Sequence, residues 1–297
     1  MDPLIIALVV ASAVLHVSWN VRLKTAGDPL RAATIGNVAA ALVIIPIGTV
    51  AWLAGGRPEI SGWALALGLG SGVVEGVYFI LLSTAYRHGD LSVVYPVARG
   101  TAPLLAVGVG VGLLGERLDV VGYAGIAALL AGFLWHQRPW RFLRRSGAGG
   151  TADVAVAFAL ATGVSIATYS AIDRIGSRLI EPITYAAILW LSCSLTLVAW
   201  TALRGAGPIR SLAGSRDEVR FAAIGGWLSL LAYTAILYAL SISPLSAVAP
   251  LRESSIVLAS VWGAVRLREA ADRDEAFRRV AASALIVLGA ILLAVAR

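Results

Sequence analysis

The sequence predicts an all-α integral membrane protein with ten transmembrane helices, arranged as two inverted five-helix repeats. Three observations predict this fold class. Apolar residues make up 59% of the 297 residues and charged residues only 14%, whereas soluble globular domains carry about 25% charged residues. The apolar residues fall into ten segments, most of them close to the roughly 20 residues that cross a bilayer as a helix. Finally, the two halves of the chain resemble each other.

The apolar segments have the length and pattern of transmembrane helices. Strands of a membrane barrel are about 10 residues long and alternate strictly between apolar and polar positions. These segments are longer and do not alternate, so we expect helices rather than strands. The residues before the first segment carry no basic cluster, so we expect a retained helix rather than a cleaved signal peptide. The predicted segments are 4–23, 30–54, 62–86, 92–114, 119–137, 152–174, 182–204, 219–241, 246–267 and 277–296.

A linker divides the chain into its predicted repeats. Residues 138–151 contain four arginines followed by a glycine-rich run, and they separate residues 1–137 from residues 152–297. Pro96 and Pro250 occupy matching positions in the two halves, 154 residues apart. A repeat with an odd number of spans crosses the membrane in opposite directions in its two copies, so this duplication implies inverted topology, which is typical of transporters.

The net charge of +7 comes from loop arginines and lysines, so we expect membrane lipid as a partner and no nucleic acid. Loops on the side opposite the N-terminus carry 17 of these cations, and loops on the N-terminal side carry five. The positive-inside rule places the cation-rich loops in the cytoplasm and both termini outside. We expect the protein to be a multi-pass protein of the inner, cytoplasmic membrane of the cell.

Two short motifs link the chain to a known family. The sequence Gly-Glu-Arg at residues 115–117 is followed by spaced glycines at 122, 125 and 132. Trp19 and Asn20 in the first segment form a tryptophan-then-small-polar motif, with Lys24 after it. These motifs resemble the EamA family of the drug/metabolite transporter superfamily, and the resemblance covers nearly the whole chain. The second half has lost the Gly-Glu-Arg pattern.

The resemblance implies ten helices in inverted five-helix repeats. It also implies transport of a small metabolite through a central cavity, often as proton-coupled or exchange export. Family members tend to have both termini inside the cell, which is opposite to what the cation count indicates. The membrane orientation therefore stays open.

Four charged residues lie inside predicted spans, where charge is costly and by default marks a substrate or ion pathway. They are Glu75, Arg99, Arg252 and Glu253. The repeat aligns Arg99 with Glu253, so we expect these two to face each other, either as a buried ion pair or as substrate contacts. Arg252 points about 100° away from its neighbour Glu253, and we expect it to lie nearer the substrate.

The first segment carries a polar face, because His16, Trp19 and Asn20 follow the i, i+3, i+4 spacing. His16 could titrate near neutral pH or hydrogen-bond another helix. Trp19 could stack on a substrate, although packing is the simpler expectation. Three tyrosines inside spans are candidate hydroxyl donors to a cavity or packing residues: Tyr78, Tyr95 and Tyr233.

Other features fit structural roles. Asp173 and Arg174, at the end of the sixth segment, are expected to be solvated interfacial charges. Gly108 and Gly112 have the spacing of a close-packing seam between helices or of a dimer face. The protein could therefore be either a monomer or a homodimer.

The residues favour a secondary active transporter of a small polar or zwitterionic metabolite such as an amino acid, and the resemblance implies an exporter that is proton-coupled or works by exchange. No nucleotide-binding, hydrolase or metal-site motif is present, so we expect no enzymatic activity, no cofactor and no metal. Glu75 is the natural proton carrier and His16 the reserve candidate. Two alternatives stay open: a flippase for a lipid-linked metabolite and a membrane-embedded enzyme.

Overall fold

A computed structural model describes most of the chain, and every regular element in the described residues is helical. The described residues are 3–89, 91–115, 117, 119–137, 151–206, 214–252 and 273–295. Their helices are α1 (Pro3–Thr25), α2 (Pro29–Ala54), α3 (Gly62–His88), α4 (Leu91–Gly112), α5 (Val120–Gln137), α6 (Thr151–Leu179), α7 (Pro182–Thr201), α8 (Arg216–Ile242), α9 (Leu245–Arg252) and α10 (Arg273–Val295).

The described helices are those of a multi-pass membrane protein, as predicted. The apolar parts of α4 and α5 are shorter, Val97–Gly112 and Val120–Gly132. Most of the ninth predicted segment lies outside the described residues. Within the described residues, six helical stretches are long and apolar enough to cross a membrane: Leu4–Thr25, Pro29–Ala54, Gly62–His88, Val154–Leu179, Pro182–Arg204 and Arg216–Ile242. The total of ten spans and the inverted repeats stay predictions.

Corresponding helices of the two halves begin in the same way. Asp28 caps α2 by accepting two backbone N–H groups, at 3.1 and 3.2 Å. Glu181 caps α7 in the same manner, at 3.0 and 2.9 Å, and a proline follows each acid. α3 and α8 instead begin after serine caps, Ser61 and Ser215. These side chains satisfy N–H groups that have no partner within the helix.

The Asp28 cap also forms an ion pair, because Arg87 Nη2 lies 2.5 Å from Asp28 Oδ1. Burial raises the pKa of Asp28, but the hydrogen bonds from Arg87 and from backbone N–H groups lower it more, so the pKa lies below its usual value. A lowered pKa means that the stabilisation is complete above the unfolded value of about 3.9. It is then lost as the pH falls through the folded value.

We expect Asp28→Ala to reduce the free energy of unfolding by about 0.5–2 kcal/mol at pH 7 through loss of the cap. Asp28→Asn retains a capping side chain, so it should lose only the ion pair, which at such an exposed site contributes about 0–1 kcal/mol. Thermal unfolding in detergent would measure both variants. The gap between wild type and Asp28→Asn should be constant above about pH 4 and narrow progressively below it, and a gap that does not shrink as the pH is lowered would contradict the assignment.

Glycines allow α2 and α8 to cross in close contact. A β-carbon added at Gly226 would overlap the backbone of Gly36, and one added at Gly36 would lie 2.9 Å from the carbonyl oxygen of Ala222. Gly108 and Gly112 differ, since a β-carbon there meets nothing within 4 Å in the described part of the chain. These two glycines therefore form no seam within the described bundle, and the oligomeric state stays open.

Gly226→Ala should be strongly destabilising, because the added methyl group meets backbone that cannot rotate away. Overpacking of this kind typically costs about 1–3 kcal/mol. Gly70→Ala is a matched control, since Gly70 is also inside a helix and has open space around its α-carbon. There the higher helix propensity of alanine should be neutral or stabilising by up to about 1 kcal/mol. Equal melting temperatures of the two variants in detergent would contradict the close crossing.

Helix ends meet at two opposite faces of the bundle. At the Lys24 face, where α1 and α3 end and α2 begins, Lys24 Nζ donates to the carbonyl oxygens of Tyr86 and Gly89, both at 2.9 Å. At the Arg174 face, where α6 and α8 end, Arg174 Nη1 donates to the carbonyl oxygen of Leu240 at 2.8 Å. Arg174 is thus half-buried at a helix end, where a cation satisfies carbonyl groups that have no partner within the helix.

Candidate functional site

A buried layer of charged and aromatic side chains lies between the two faces. Nine of the ten predicted site residues are in the described part of the chain, and none of the nine is more than 5% exposed. Glu253 lies outside the described residues, so its pairing with Arg99 stays a prediction. The nine are His16, Trp19, Asn20, Glu75, Tyr78, Tyr95, Arg99, Tyr233 and Arg252.

The polar face of α1 makes structural contacts. His16 Nδ1 lies 3.0 Å from the carbonyl oxygen of Ser12 and 3.1 Å from its hydroxyl. Asn20 donates to the carbonyl oxygen of His16 at 2.8 Å and accepts from the Tyr86 hydroxyl at 3.0 Å, which ties α1 to α3. The rings of His16 and Trp19 are 6.0 Å apart, in agreement with the face that their spacing predicts.

Aromatic rings form a continuous chain across the layer. Trp19 contacts Phe79 with ring centroids 5.7 Å apart, and Phe79 meets Tyr78 edge-on at 4.9 Å. Tyr169 then lies edge-on to Tyr78 at 5.7 Å and to Tyr233 at 5.4 Å. Edge-to-face contacts of this kind stabilise the packing beyond simple burial. The chain of rings holds α1, α3, α6 and α8 in a fixed arrangement around the charged groups.

Both buried arginines lie over tyrosine rings. The guanidinium of Arg99 is 5.6 Å from the ring centroid of Tyr95, and that of Arg252 is 5.3 Å from the ring centroid of Tyr233. Arg252 Nη1 also donates to the Ser170 hydroxyl at 3.3 Å. Cation–π contact offsets part of the cost of removing a cation from water. A guanidinium held over a ring presents the N–H donors along its edge to acceptors such as an anionic group.

Glu75 has a carboxylate oxygen without a hydrogen-bond partner in the described part of the chain. Its side chain is 4% exposed, and among the described residues no hydrogen bond reaches Oε2. The carboxylate interacts electrostatically with Asp173 and Arg252. A buried polar atom without a partner is costly, so this oxygen is suited to a group that the protein itself does not supply, either a proton or a cation.

The expectation for Asp173 was wrong, because the residue is fully buried rather than solvated. Its Oδ1 accepts hydrogen bonds from Ser71 at 2.5 Å and from Tyr185 at 2.8 Å, and its Oδ2 accepts from Tyr233. The predicted sixth segment ended at residue 174, whereas α6 continues to Leu179. The extra turn and a half places the Asp173 carboxylate inside the bundle.

A cavity of about 30 Å³ between α1, α2, α3 and α8 borders this layer at Trp19. Trp19, Phe79 and Asn37 are among the residues that line it. It shares Phe221 with a larger cleft at the Lys24 face, which reaches Asp28 and has a volume of about 560 Å³. Ala32, Phe221 and Ala222 line both spaces, so the cleft at the Lys24 face adjoins the small cavity beside Trp19.

A bundle of apolar helices around buried arginines and acids is the architecture of a multi-pass membrane transporter. A family model described as "EamA-like transporter family" matches residues 3–136 and again residues 153–295. The chain therefore belongs to this family of membrane transporters, part of the drug/metabolite transporter superfamily, which confirms the resemblance found in the sequence.

A solved structure described as "Crystal structure of protein" has the same overall fold. Its TM-score with this chain is 0.64, at 20% sequence identity, and the match covers 97% of this chain and 98% of that chain. A search of curated proteins finds no match. The structural likeness supports the fold alone. Any inference about substrate or coupling is therefore drawn from the residues of the buried layer.

Proposed function

We propose that the protein is a secondary active transporter, acting as an exporter, of a small polar or zwitterionic metabolite such as an amino acid. The observation that carries this proposal is the buried layer that contains Arg99, Arg252 and Glu75, whose Oε2 has no hydrogen-bond partner among the described residues. An arginine binds a carboxylate through two parallel hydrogen bonds. Glu75 can bind the amine of the same solute or exchange that amine for a proton.

The protein would work in the inner cell membrane, and two features support alternating access by inverted repeats. The family model matches the chain twice, once in each predicted repeat. In addition, Lys24 holds the end of α3 through the carbonyl of Tyr86, and Arg174 holds the end of α8 through the carbonyl of Leu240. Tyr86 and Leu240 are 154 residues apart, the spacing of the repeat. Such matched contacts at opposite faces suit two gates that open in turn.

The two contacts should have opposite effects on access to the cavity at the Lys24 face. Lys24→Met releases α3 there, so states open at that face should become more populated. Arg174→Met should favour states open at the Arg174 face and close the cavity. The reporter is Gly225→Cys, which lines the cavity and has room for a side chain. It is used with Cys193→Ala to remove the native cysteine.

The measurement is the rate at which a membrane-impermeant maleimide labels Gly225→Cys from the Lys24 face. We expect faster labelling with Lys24→Met and slower labelling with Arg174→Met. If both variants speed labelling, the two cations only hold the bundle together, and the gating role is contradicted.

Transport itself is tested with the purified protein in vesicles, by measuring uptake and efflux of a panel of amino acids and related metabolites with and without a pH gradient. Saturable transport of a zwitterion that responds to the gradient supports the proposal. A fluorescent phospholipid in the same vesicles tests the flippase alternative. Lipid movement without solute transport would overturn the proposed function.

A further inference from the structure

Two buried carboxylates from different halves of the chain interact within the layer. Glu75 in α3 and Asp173 in α6 are 4% and 0% exposed, and they interact electrostatically. Arg252 interacts with both. The proposed function uses Glu75 but does not use Asp173. The contacts of Asp173 indicate what role it has.

Asp173 is held by three hydrogen bonds that favour its ionised form. Ser71 in α3, Tyr185 in α7 and Tyr233 in α8 all donate hydroxyl hydrogens to its two oxygens. An ionised carboxylate only accepts hydrogen bonds, and charge-assisted bonds of this kind are stronger than neutral ones. Three donors around one carboxylate therefore stabilise its negative charge and fix its orientation.

Glu75 is different, since its Oε2 has no hydrogen-bond partner among the described residues. It is close enough to Asp173 for the two charges to repel, and repulsion between like charges is strong where water is excluded. Arg252 supplies one positive charge to the two acids and is also engaged with Ser170 and the ring of Tyr233. With both acids ionised, this group of three is short of one positive charge.

We propose that Glu75 and Asp173 together form a binding site for one monovalent cationic group with N–H donors, the ammonium of the solute, and that a proton on Glu75 replaces it. Asp173 is the fixed anion and Glu75 is the exchangeable one. This inference rests on the proposed function and deepens it, because it explains why Glu75 takes up a cation even though Arg252 is nearby. Without the charge of Asp173, Glu75 and Arg252 would neutralise each other.

The probe for this site is methylammonium chloride, and tetramethylammonium chloride is the control salt. Both are monovalent cations, but only methylammonium has N–H donors for carboxylate oxygens. Thermal unfolding of the protein in detergent is followed between pH 5 and 8 at equal ionic strength. We expect methylammonium to raise the melting temperature of the wild type, because ligands that bind only the folded state stabilise it. The effect should weaken as the pH falls and protons compete.

In Asp173→Asn, at least ten times more methylammonium should be needed to raise the melting temperature by the same amount. Asp274→Asn makes the same change of charge at an exposed position in the first turn of α10, outside the layer and the cleft, and it should respond to methylammonium as the wild type does. If Asp173→Asn responds like the wild type, the inference is overturned. The proposed transport function survives that result, because it is tested separately by pH-driven solute transport in vesicles.

Tyr185→Phe is a second variant that tests the same site if Asp173→Asn fails to fold. It removes one hydrogen-bond donor from Asp173 and leaves its charge in place. Protons should then compete more effectively, so the pH below which methylammonium no longer stabilises the protein should move upward. An unchanged pH dependence in Tyr185→Phe would overturn the inference as well.

The pH range is chosen so that the two acids dominate the response. Tyrosine and cysteine ordinarily titrate above about pH 8 and arginine above about 12. His16 interacts with both arginines and ordinarily titrates near 6.5, so the series is repeated with His16→Gln. A pH dependence that disappears with His16→Gln would overturn the assignment to Glu75. The other groups that face the two acids are Tyr78, Tyr169, Tyr185, Cys193, Tyr233 and Arg252.

Discussion

Glu75→Gln should abolish transport driven by a pH gradient while the protein still folds. The amide has nearly the same shape as the carboxylate, but it neither binds a proton near neutral pH nor carries the negative charge that attracts the ammonium group of the solute. Because Oε2 of Glu75 has no partner among the described residues, the substitution breaks no hydrogen bond there. The measurement is solute flux in vesicles with an imposed pH gradient, together with the pH dependence of solute binding.

A matched control is Glu59→Gln, because Glu59 lies in the exposed loop between α2 and α3. It makes the same chemical change outside the buried layer and should transport like the wild type. Exchange of solute for solute without a gradient is measured in parallel, since it separates loss of coupling from loss of binding. If Glu75→Gln still responds fully to the gradient, Glu75 does not couple protons to transport.

The charged residues of the buried layer could be located from the sequence because charge inside an apolar run is visible without a structure. Glu75, Arg99 and Arg252 each interrupt a predicted span, and all three are buried in the same layer. Their partners could not be predicted. The contact of Arg252 with Tyr233 joins residues from separate helices, and such contacts depend on how the helices dock.

Asp173 was missed because hydropathy places the end of a span only to within a few residues. The acid stood one residue from the predicted end, so an interfacial position was the simplest interpretation. A better signal was present. Asp173 follows Tyr169 and Ser170 by four and three residues, which places it on their helical face. Those two residues align in the repeat with Trp19 and Asn20 on the polar face of α1.

The helix caps are a second signal that sequence alone could have provided. Asp28 and Glu181 each precede a proline and lie 153 residues apart, and Ser61 and Ser215 lie 154 apart. These spacings agree with that of Pro96 and Pro250. Capping depends on local backbone geometry alone, so such residues can be recognised before any packing is known. The crossing of α2 and α8, in contrast, is visible only once the helices are placed.

Arg252→Ala should weaken binding of a zwitterionic solute by about 10–100-fold. A hydrogen bond to a charged group contributes about 1.5–3 kcal/mol, and every 1.4 kcal/mol corresponds to tenfold in affinity. Binding of a lipophilic cation should change in the opposite direction. Removing the guanidinium leaves the acids Glu75 and Asp173 with less positive charge nearby, which favours any cation that reaches them.

Tetraphenylphosphonium is a suitable lipophilic cation, and its binding is compared with that of the amino acid identified in the vesicle screen. Arg252→Lys is the matched control, since it keeps the positive charge but loses the planar fork that grips a carboxylate at two points. It should therefore weaken solute binding and leave the binding of tetraphenylphosphonium close to that of the wild type. If Arg252→Ala transports tetraphenylphosphonium as the wild type does and its solute affinity is unchanged, Arg252 does not bind the carboxylate. The buried acids would then serve a multidrug transporter that selects its substrates by positive charge.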